Sequence, residues 1–575
     1  MLGLEFSAGG DHFTGSMLDI VARQELLAPA VSAYLLNREH LRVAPTLNGG
    51  RVVRIEPPLI ITAAQCRRIL GGVAGMLALL EEADTARFFS FLVSEKPESE
   101  PENTAFFEPQ PLSAGPRGGV GAAPPAQAGH AGKALEGAAR SGEAAGSAGR
   151  FAFLLHPLDL RSYPQFDRSL LRFSEDELAC LTKKWSSLME PFVISQVALQ
   201  SKEGAYARGE FIVVPRTAEE LAGMPREAAL RELREALRLA RTGGAGIVGL
   251  GAYTAVISMG GLYLKDEGIP LTTGNSYTVV SAAEAVKAAC EKLGILPQDS
   301  TAAIIGAAGS IGKGAALLLS EGVGSLILVG NPLSKNRIGG NERLFRVAAE
   351  IYRYLAGLLQ AGRQMPQGSI GARLSHSGLL PPAAAPLDDF ISFARSRSCR
   401  SGSIRITTSV KEALSLSQIV ISATNNPARL IQPGDLQPGA VVCDISRPPN
   451  VSAAVGEKRP DVLVIDGGVV KLPGKPDLGW DFGFPPGLAY ACMAETMMLA
   501  LEHRYENFSL GSSGVNLESI LLTRKWAARH GFGLADLRSF DQPLSRSRWR
   551  QLLGARRGLP EQQKGACDPG ESRGR

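Results

Sequence analysis

Thr301-Ala302-Ala303-Ile304-Ile305-Gly306-Ala307-Ala308-Gly309-Ser310-Ile311-Gly312, continued through Ser325-Leu326-Ile327-Leu328-Val329, decides the fold class of this 575-residue chain. Four apolar residues make a short strand, the glycines a turn, and Ile311 to Glu321 a helix that Gly322 stops before the next buried strand. That order predicts a dinucleotide-binding βαβ unit. Glycines let the backbone approach a pyrophosphate, and the helix N-terminus presents free N–H groups and a positive dipole end to it. The same glycines could serve only to pack a helix close to a strand, but the second strand arrives on schedule. Gly306, Ala308, Gly309, Ser310, Ile311 and Gly312 are therefore the expected cofactor cradle. The second strand ends in Gly330-Asn331 with no carboxylate before Glu342, where an NAD site would want an acid for the ribose hydroxyls. Ser334, Lys335 and Arg337 follow instead. With Asn331 they suit a 2′-phosphate and point to NADPH, unless they are simply solvated loop charges.

Outward from this unit, further apolar runs turn polar at their C-terminal ends: Gln418 to Thr424, Ala440 to Ser446 and Val462 to Gly468. Strands of a parallel sheet do this where they meet a ligand crevice, which places Asn425, Asp444 and Asp466 at the rim, and Thr424 is an expected cofactor-binding residue. Upstream, Leu271-Thr272-Thr273-Gly274-Asn275-Ser276 precedes a helix with Val279, Ala283, Val286, Cys290 and Leu293 on one stripe, ending at Gly294. Asn275 thus lies at a helix N-terminus, where it either meets a ligand or caps the helix. Downstream, Pro485-Pro486-Gly487 breaks the chain ahead of a helix that places Cys492 in or near its first turn. Dipole and free N–H groups there favour a thiolate, although a cysteine among Ala, Met and Leu also suits a core.

The composition, 45% hydrophobic and 20% charged with net charge +5, is globular and does not call for nucleic acid. Seven cysteines form no CxxC pair or His/Cys cluster, so neither a disulfide framework nor a metal site is expected, and a reducing cytoplasm fits. The charge-free run 242–264 carries seven glycines and reads as a buried strand with turns rather than a membrane span, and Met1 opens no secretory leader. Contact with a membrane is expected to be peripheral at most. Arg150 to Pro157 is a strand, and Leu230, Leu233 and Leu237 mark one buried helix face. Residues 96–150 have too little to bury and read as a disordered linker. Residues 357–403 read as a surface insertion and 541–575 as a basic disordered tail.

The block Thr272 to Gly312, Cys492-Met493-Ala494-Glu495-Thr496-Met497, Asn507-Phe508-Ser509 and His530-Gly531-Phe532 together resemble the cyanobacterial long-chain acyl-acyl-carrier-protein reductases over about residues 150–540. That family's series is T-T-G-N, G-A-x-G-x-I-G, A-C-x-A-E, N-F-S and H-G-F. Tyr277 departs from it, standing where histidine is usual. The resemblance implies that Cys492 carries an acyl-thioester intermediate, with Asn275 and Glu495 catalytic beside it. NADPH would be the reductant and an acyl carrier protein or acyl-CoA the substrate carrier. A second resemblance is confined to the N-terminus: Arg54-Ile55-Glu56-Pro57-Pro58-Leu59, with a helix capped at Thr62, is similar to the C-terminal small domain of class III pyridoxal-phosphate aminotransferases. It implies that Arg54 matches a carboxylate-binding arginine, and it suggests an aminotransferase or another aldehyde-consuming partner.

The expected fold is α/β: a Rossmann doubly wound parallel sheet at 296–480, an acyl-substrate α/β domain at 151–295, a helical segment with the catalytic cysteine at 481–540, and a small α/β appendage at 1–95. A dehydrogenase without a cysteine adduct, or a binding module that keeps only a nucleotide fold, are the alternatives.

Overall fold

The computed structural model describes residues 2–6, 13–46, 50–93, 148–331, 337–397, 403–424, 426, 428–447 and 449–558; the side chains of 337–341 are not described. The chain divides into two compact units.

The first unit contains residues 1–143, 156–192 and 213–224. Its three-stranded antiparallel sheet pairs Leu2–Glu5 and Ala44–Pro45 with Val52–Ile55. Helix α1, Ala63–Glu81, begins as expected at Thr62, whose hydroxyl accepts from the Gln65 N–H while the Gln65 side chain accepts from the Thr62 N–H. A boundary at 151 was expected, but it does not separate the packing. Leu178, Leu181 and Trp185, from the helix Glu175–Trp185, share one apolar core with Leu18, Val31, Phe88 and Phe89. The Met17 N–H donates to Asp167 at 2.8 Å, and Phe89 and Trp185 meet edge to face at 5.5 Å. The long linker separates these segments in sequence, yet Tyr163, Leu170, Leu178, Leu181, Trp185 and Met189 are buried in the same core as the N-terminal residues.

In the second unit the expected parallel sheet is present. Helix α2, Asn275–Leu293, leads into strand β1, Thr301–Ile305; helix α3, Ser310–Ser320, and strand β2, Ser325–Val329, complete the βαβ unit. With β3, Ile404–Thr407, β4, Ile419–Ser422, β5, Val441–Asp444, and β6, Leu463–Asp466, the order is β3-β2-β1-β4-β5-β6, all parallel. This is the doubly wound order whose switch point falls between β1 and β4. The switch point places the ligand crevice at the C-terminal ends of those two strands. A five-stranded sheet includes Gly149–Leu155 and Ile247–Leu250, the strand read from the glycine-rich run.

Two expectations fail here. Residues 357–403 are not a loose insertion: helix α4, Arg337–Gln360, and helix α5, Leu387–Arg397, pack on each other, and Phe390, Ile391, Ala394 and Ile370 are buried in the Rossmann core. Their small and charged residues hid a helical stripe. Nor is 541–575 all tail. After α6, Ala491–Leu501, and α7, Leu517–His530, helix α8, Arg546–Arg557, buries Leu552 in the same core, and Arg548 donates to the Pro460 and Val462 carbonyls. Arg556 likewise donates to the Gly439 carbonyl, whereas Arg546, Arg550 and Arg557 are exposed as expected of a basic segment.

Candidate active site

The glycine turn meets the geometric demand of a dinucleotide cradle. Gly306 has φ +80°, and a Cβ there would stand 2.4 Å from the Ala423 carbonyl oxygen; a Cβ on Gly312 would stand 2.3 Å from the oxygen of Gly306. Only glycine permits this approach of turn, helix and neighbouring strand. Gly309 is exposed, and no side chain caps α3, so the first N–H groups of that helix stay open to an anion. Thr424 follows the strand end that crowds Gly306 and lies 3.2 Å from such a Cβ. Asn331 is exposed at the end of β2. Ser334 and Lys335, and the side chain of Arg337, lie outside the described residues.

A second turn lies against this cradle. Gly274, at φ +72°, precedes Asn275, the first residue of α2, and the Asn275 side chain donates to the Ser310 hydroxyl at 3.0 Å. A Cβ on Gly274 would be 2.1 Å from the Cα of Cys492. Cys492 is the second residue of α6, as the Pro-Pro-Gly break predicts. The structure thereby brings Cys492, Asn275 and the open end of α3 together from three helix N-termini.

Glu495, one turn after Cys492, is fully buried. Its carboxylate accepts from the Thr272 hydroxyl at 2.6 Å and from the Tyr277 N–H at 2.8 Å, so it clamps the Thr272–Asn275 turn onto α6. Asn507 accepts from the Leu271 N–H, the Ser509 carbonyl accepts from Thr273, and the Ser509 hydroxyl pairs with Ser276 at 2.7 Å. The separated motifs are thus parts of one hydrogen-bonded assembly. Tyr277 sits in the apolar core, 1% exposed. His530 pairs with Glu502 at 2.7 Å, at the far end of α6.

Electrostatics run against one expectation. Burial pushes the Cys492 thiol up to about 12, with the Glu495 charge adding to the rise. Backbone hydrogen bonds at Met493 and at Cys492 itself pull the other way, but desolvation outweighs them. The remaining counterweight is Arg447, which had not been singled out from the sequence. Its guanidinium lies 5.7 Å from the Tyr490 ring centroid, donates to the Ser446 carbonyl, and favours the Cys492 thiolate. The signal was an arginine directly after a strand's polar end. Asp444 and Asp466 do not stand free at the rim. Asp444 is buried and accepts from the N–H groups of Ser446, Asn450 and Val451, while Asp466 accepts from those of Phe540 and Asp541. Asn425 lies outside the described residues. Arg54, in the first unit, has Glu56 as a counter-charge at 3.6 Å. No group of metal-ligating side chains occurs among the described residues.

No protein-family profile matches the chain. It is 28% identical over 409 residues, 69% of its length, to the aminotransferase PigE of Serratia sp., of which it spans 41%. It is also 28% identical over 378 residues to a long-chain acyl-[acyl-carrier-protein] reductase of Synechococcus elongatus, covering 63% of this chain and 92% of that protein. Among solved structures, an NAD-dependent malic enzyme of Thermotoga maritima aligns at 11% identity and a TM-score of 0.30, covering 77% of this chain and 96% of that one. The chain is thus similar in sequence to a reductase over most of that protein's length, and in part to a longer aminotransferase.

Proposed function

We propose that this chain is a nicotinamide-dependent oxidoreductase that reduces a fatty acyl thioester, carried on acyl carrier protein or coenzyme A, to the aldehyde through an acyl adduct on Cys492. The observation that carries this is the close approach of Gly274 to Cys492, with Asn275 bonded to Ser310 of the glycine cradle. It supports a reading in which the attacking thiol and the bound dinucleotide lie side by side.

Gly306 and Gly312 let the turn lie against Ala423 and the start of α3 where a Cβ would clash, and the first N–H groups of α3 carry no side-chain cap, so the residues present fit a pyrophosphate. When bound, NADPH supplies a hydride at this site. The chain's own residues do the rest. Arg447 offsets part of the desolvation that keeps Cys492 protonated, and Glu495 holds the Thr272–Asn275 turn in place. Thiolate attack on the thioester carbonyl forms the new C–S bond as the bond to the carrier breaks, and the carrier thiol leaves with the proton that Cys492 gave up. In this reading the Asn275 amide and the α6 N–H groups stabilise the oxyanion. After hydride addition the C–S bond to Cys492 breaks, the aldehyde leaves, and one proton from solvent restores the thiol.

Intact mass after incubation with an acyl-carrier thioester and no dinucleotide tests this, with an acyl adduct expected on the Cys492 peptide. No adduct, together with wild-type aldehyde formation by Cys492→Ser, would refute it. The raised thiol favours a second candidate, a dehydrogenase acting without an adduct, and that one requires activity to survive iodoacetamide.

A further inference from the structure

Helix α1 is long and apolar enough by composition to cross a membrane, yet only 22% of its apolar window is buried. Gly72, Met76, Leu79 and Leu80 face the first unit's core, so lipid could not surround the helix without unfolding that unit. The opposite face is bare: Leu70 is 67% exposed and Leu77 40%, and a Cβ on Gly71 or Gly75 would meet nothing within 4 Å. Exposed apolar surface of this continuity marks an interaction site.

We propose that this face pairs two copies of the chain, the two α1 helices running antiparallel about a two-fold axis at Ala74. The sequence of the face is self-complementary about that residue. Arg67 lies seven residues before Ala74 and Glu81 seven after, all three exposed on one stripe. Antiparallel pairing therefore sets each Arg67 against the mate's Glu81, at both ends of a contact about 21 Å long. Neither side chain has an ion-pair partner among the described residues. Steric complementarity follows the same axis. Leu70, four residues before Ala74, meets Ala78, four after, and Leu77 meets Gly71, so each large side chain lies over a small one. A two-fold interface requires this reciprocity, which a random apolar face does not show. The charges also set the orientation, because a parallel pair would oppose like charges.

Light scattering of the full chain across a concentration series should show a dimer. Arg67→Glu and Glu81→Arg should each weaken it at least tenfold, and the double swap Arg67→Glu/Glu81→Arg should restore it, since opposite charges again face each other. Both swaps agree with the helix dipole, so loss of α1 does not explain weakening. In a Cys66→Ser background, Ala74→Cys should form an intermolecular disulfide on mild oxidation, because position 74 faces itself. A monomer at every concentration overturns the proposal. So does a dimer indifferent to the single swaps, failure of the double swap to rescue, absence of the disulfide, or flotation of the chain with phosphatidylcholine vesicles in place of dimerisation. Aldehyde formation is no part of the readout, so the active-site proposal stands or falls separately.

Discussion

Gly274→Ala tests the contact on which the active site depends. The Cβ it adds would lie 2.1 Å from the Cα and 2.4 Å from the Cβ of Cys492, on a residue at φ +72°. Carbon contacts settle at about 3.5–4.0 Å, so the turn and α6 would have to part by about 1.5 Å. Both sides are anchored, the turn by Glu495 and Ser509 and α6 by its burial, so the clash cannot be relieved by one rotamer. Left-handed backbone at a residue with a Cβ costs about 1–2 kcal/mol; with overpacking of about 1–3 kcal/mol, the total is about 2–5 kcal/mol. Gly294→Ala is the matched control. It too is left-handed, at φ +64°, but its added Cβ would meet nothing within 4 Å, so it carries the conformational cost alone. Thermal unfolding of the two variants separates the terms. The second unit is large enough that each kcal/mol moves the melting temperature by only about 1 °C, so the overpacking cost of about 1–3 kcal/mol should put Gly274→Ala about 1–3 °C below Gly294→Ala. Adduct formation at Cys492, followed by intact mass, should slow about 100-fold in Gly274→Ala, the penalty for a misplacement of about 1 Å, and be unchanged in Gly294→Ala. Equal melting temperatures with wild-type adduct rates would show that the turn and the cysteine helix do not meet as described.

Gly306→Ala should abolish dinucleotide binding, read by quenching of NADPH fluorescence, while leaving the Cys492 adduct intact, because its Cβ collides with the Ala423 carbonyl rather than with α6. The Cys492 thiol, raised to about 12, is protonated in the native state where an unfolded cysteine has begun to ionise. Native protein therefore binds the extra proton, and stability contributed at this site is present below about pH 8.5 and lost as pH rises toward 12. Iodoacetamide labelling of Cys492 should climb with pH and show no plateau below pH 10, and Arg447→Gln should slow labelling several-fold at pH 8 by removing the favourable charge; a plateau near pH 7 would refute both. Leu552→Ala should cost about 2–5 kcal/mol in urea unfolding, since Leu552 is 1% exposed in the Rossmann core; a change under 0.5 kcal/mol would return α8 to the status of a tail.

Much of the candidate site was legible because its signals are local. A glycine turn, a Pro-Pro-Gly break and a Thr-Thr-Gly-Asn turn each announce a helix N-terminus from a few neighbouring residues, and Gly306, Asn275 and Cys492 stand where those signals place them. The strand runs were equally clear, since a strand buried on both faces is apolar throughout. The role of Glu495 was not legible. A glutamate in an apolar helix is a general acid, a solvated charge or a clamp according to what surrounds it, and its partners Thr272 and Tyr277 lie more than two hundred residues away.

Hydrophobic period and turn chemistry act over a few residues, which is why the βαβ unit, the parallel sheet and the helix starts can be read from the residues alone. What needed the packed structure is that residues 156–192 complete the N-terminal core, that α5 and α8 belong to the Rossmann core, and that desolvation outweighs the backbone hydrogen bonds at the start of α6 and raises the half-buried Cys492 thiol. Desolvation and core membership depend on which distant segments come to lie against a residue, and no local pattern encodes that.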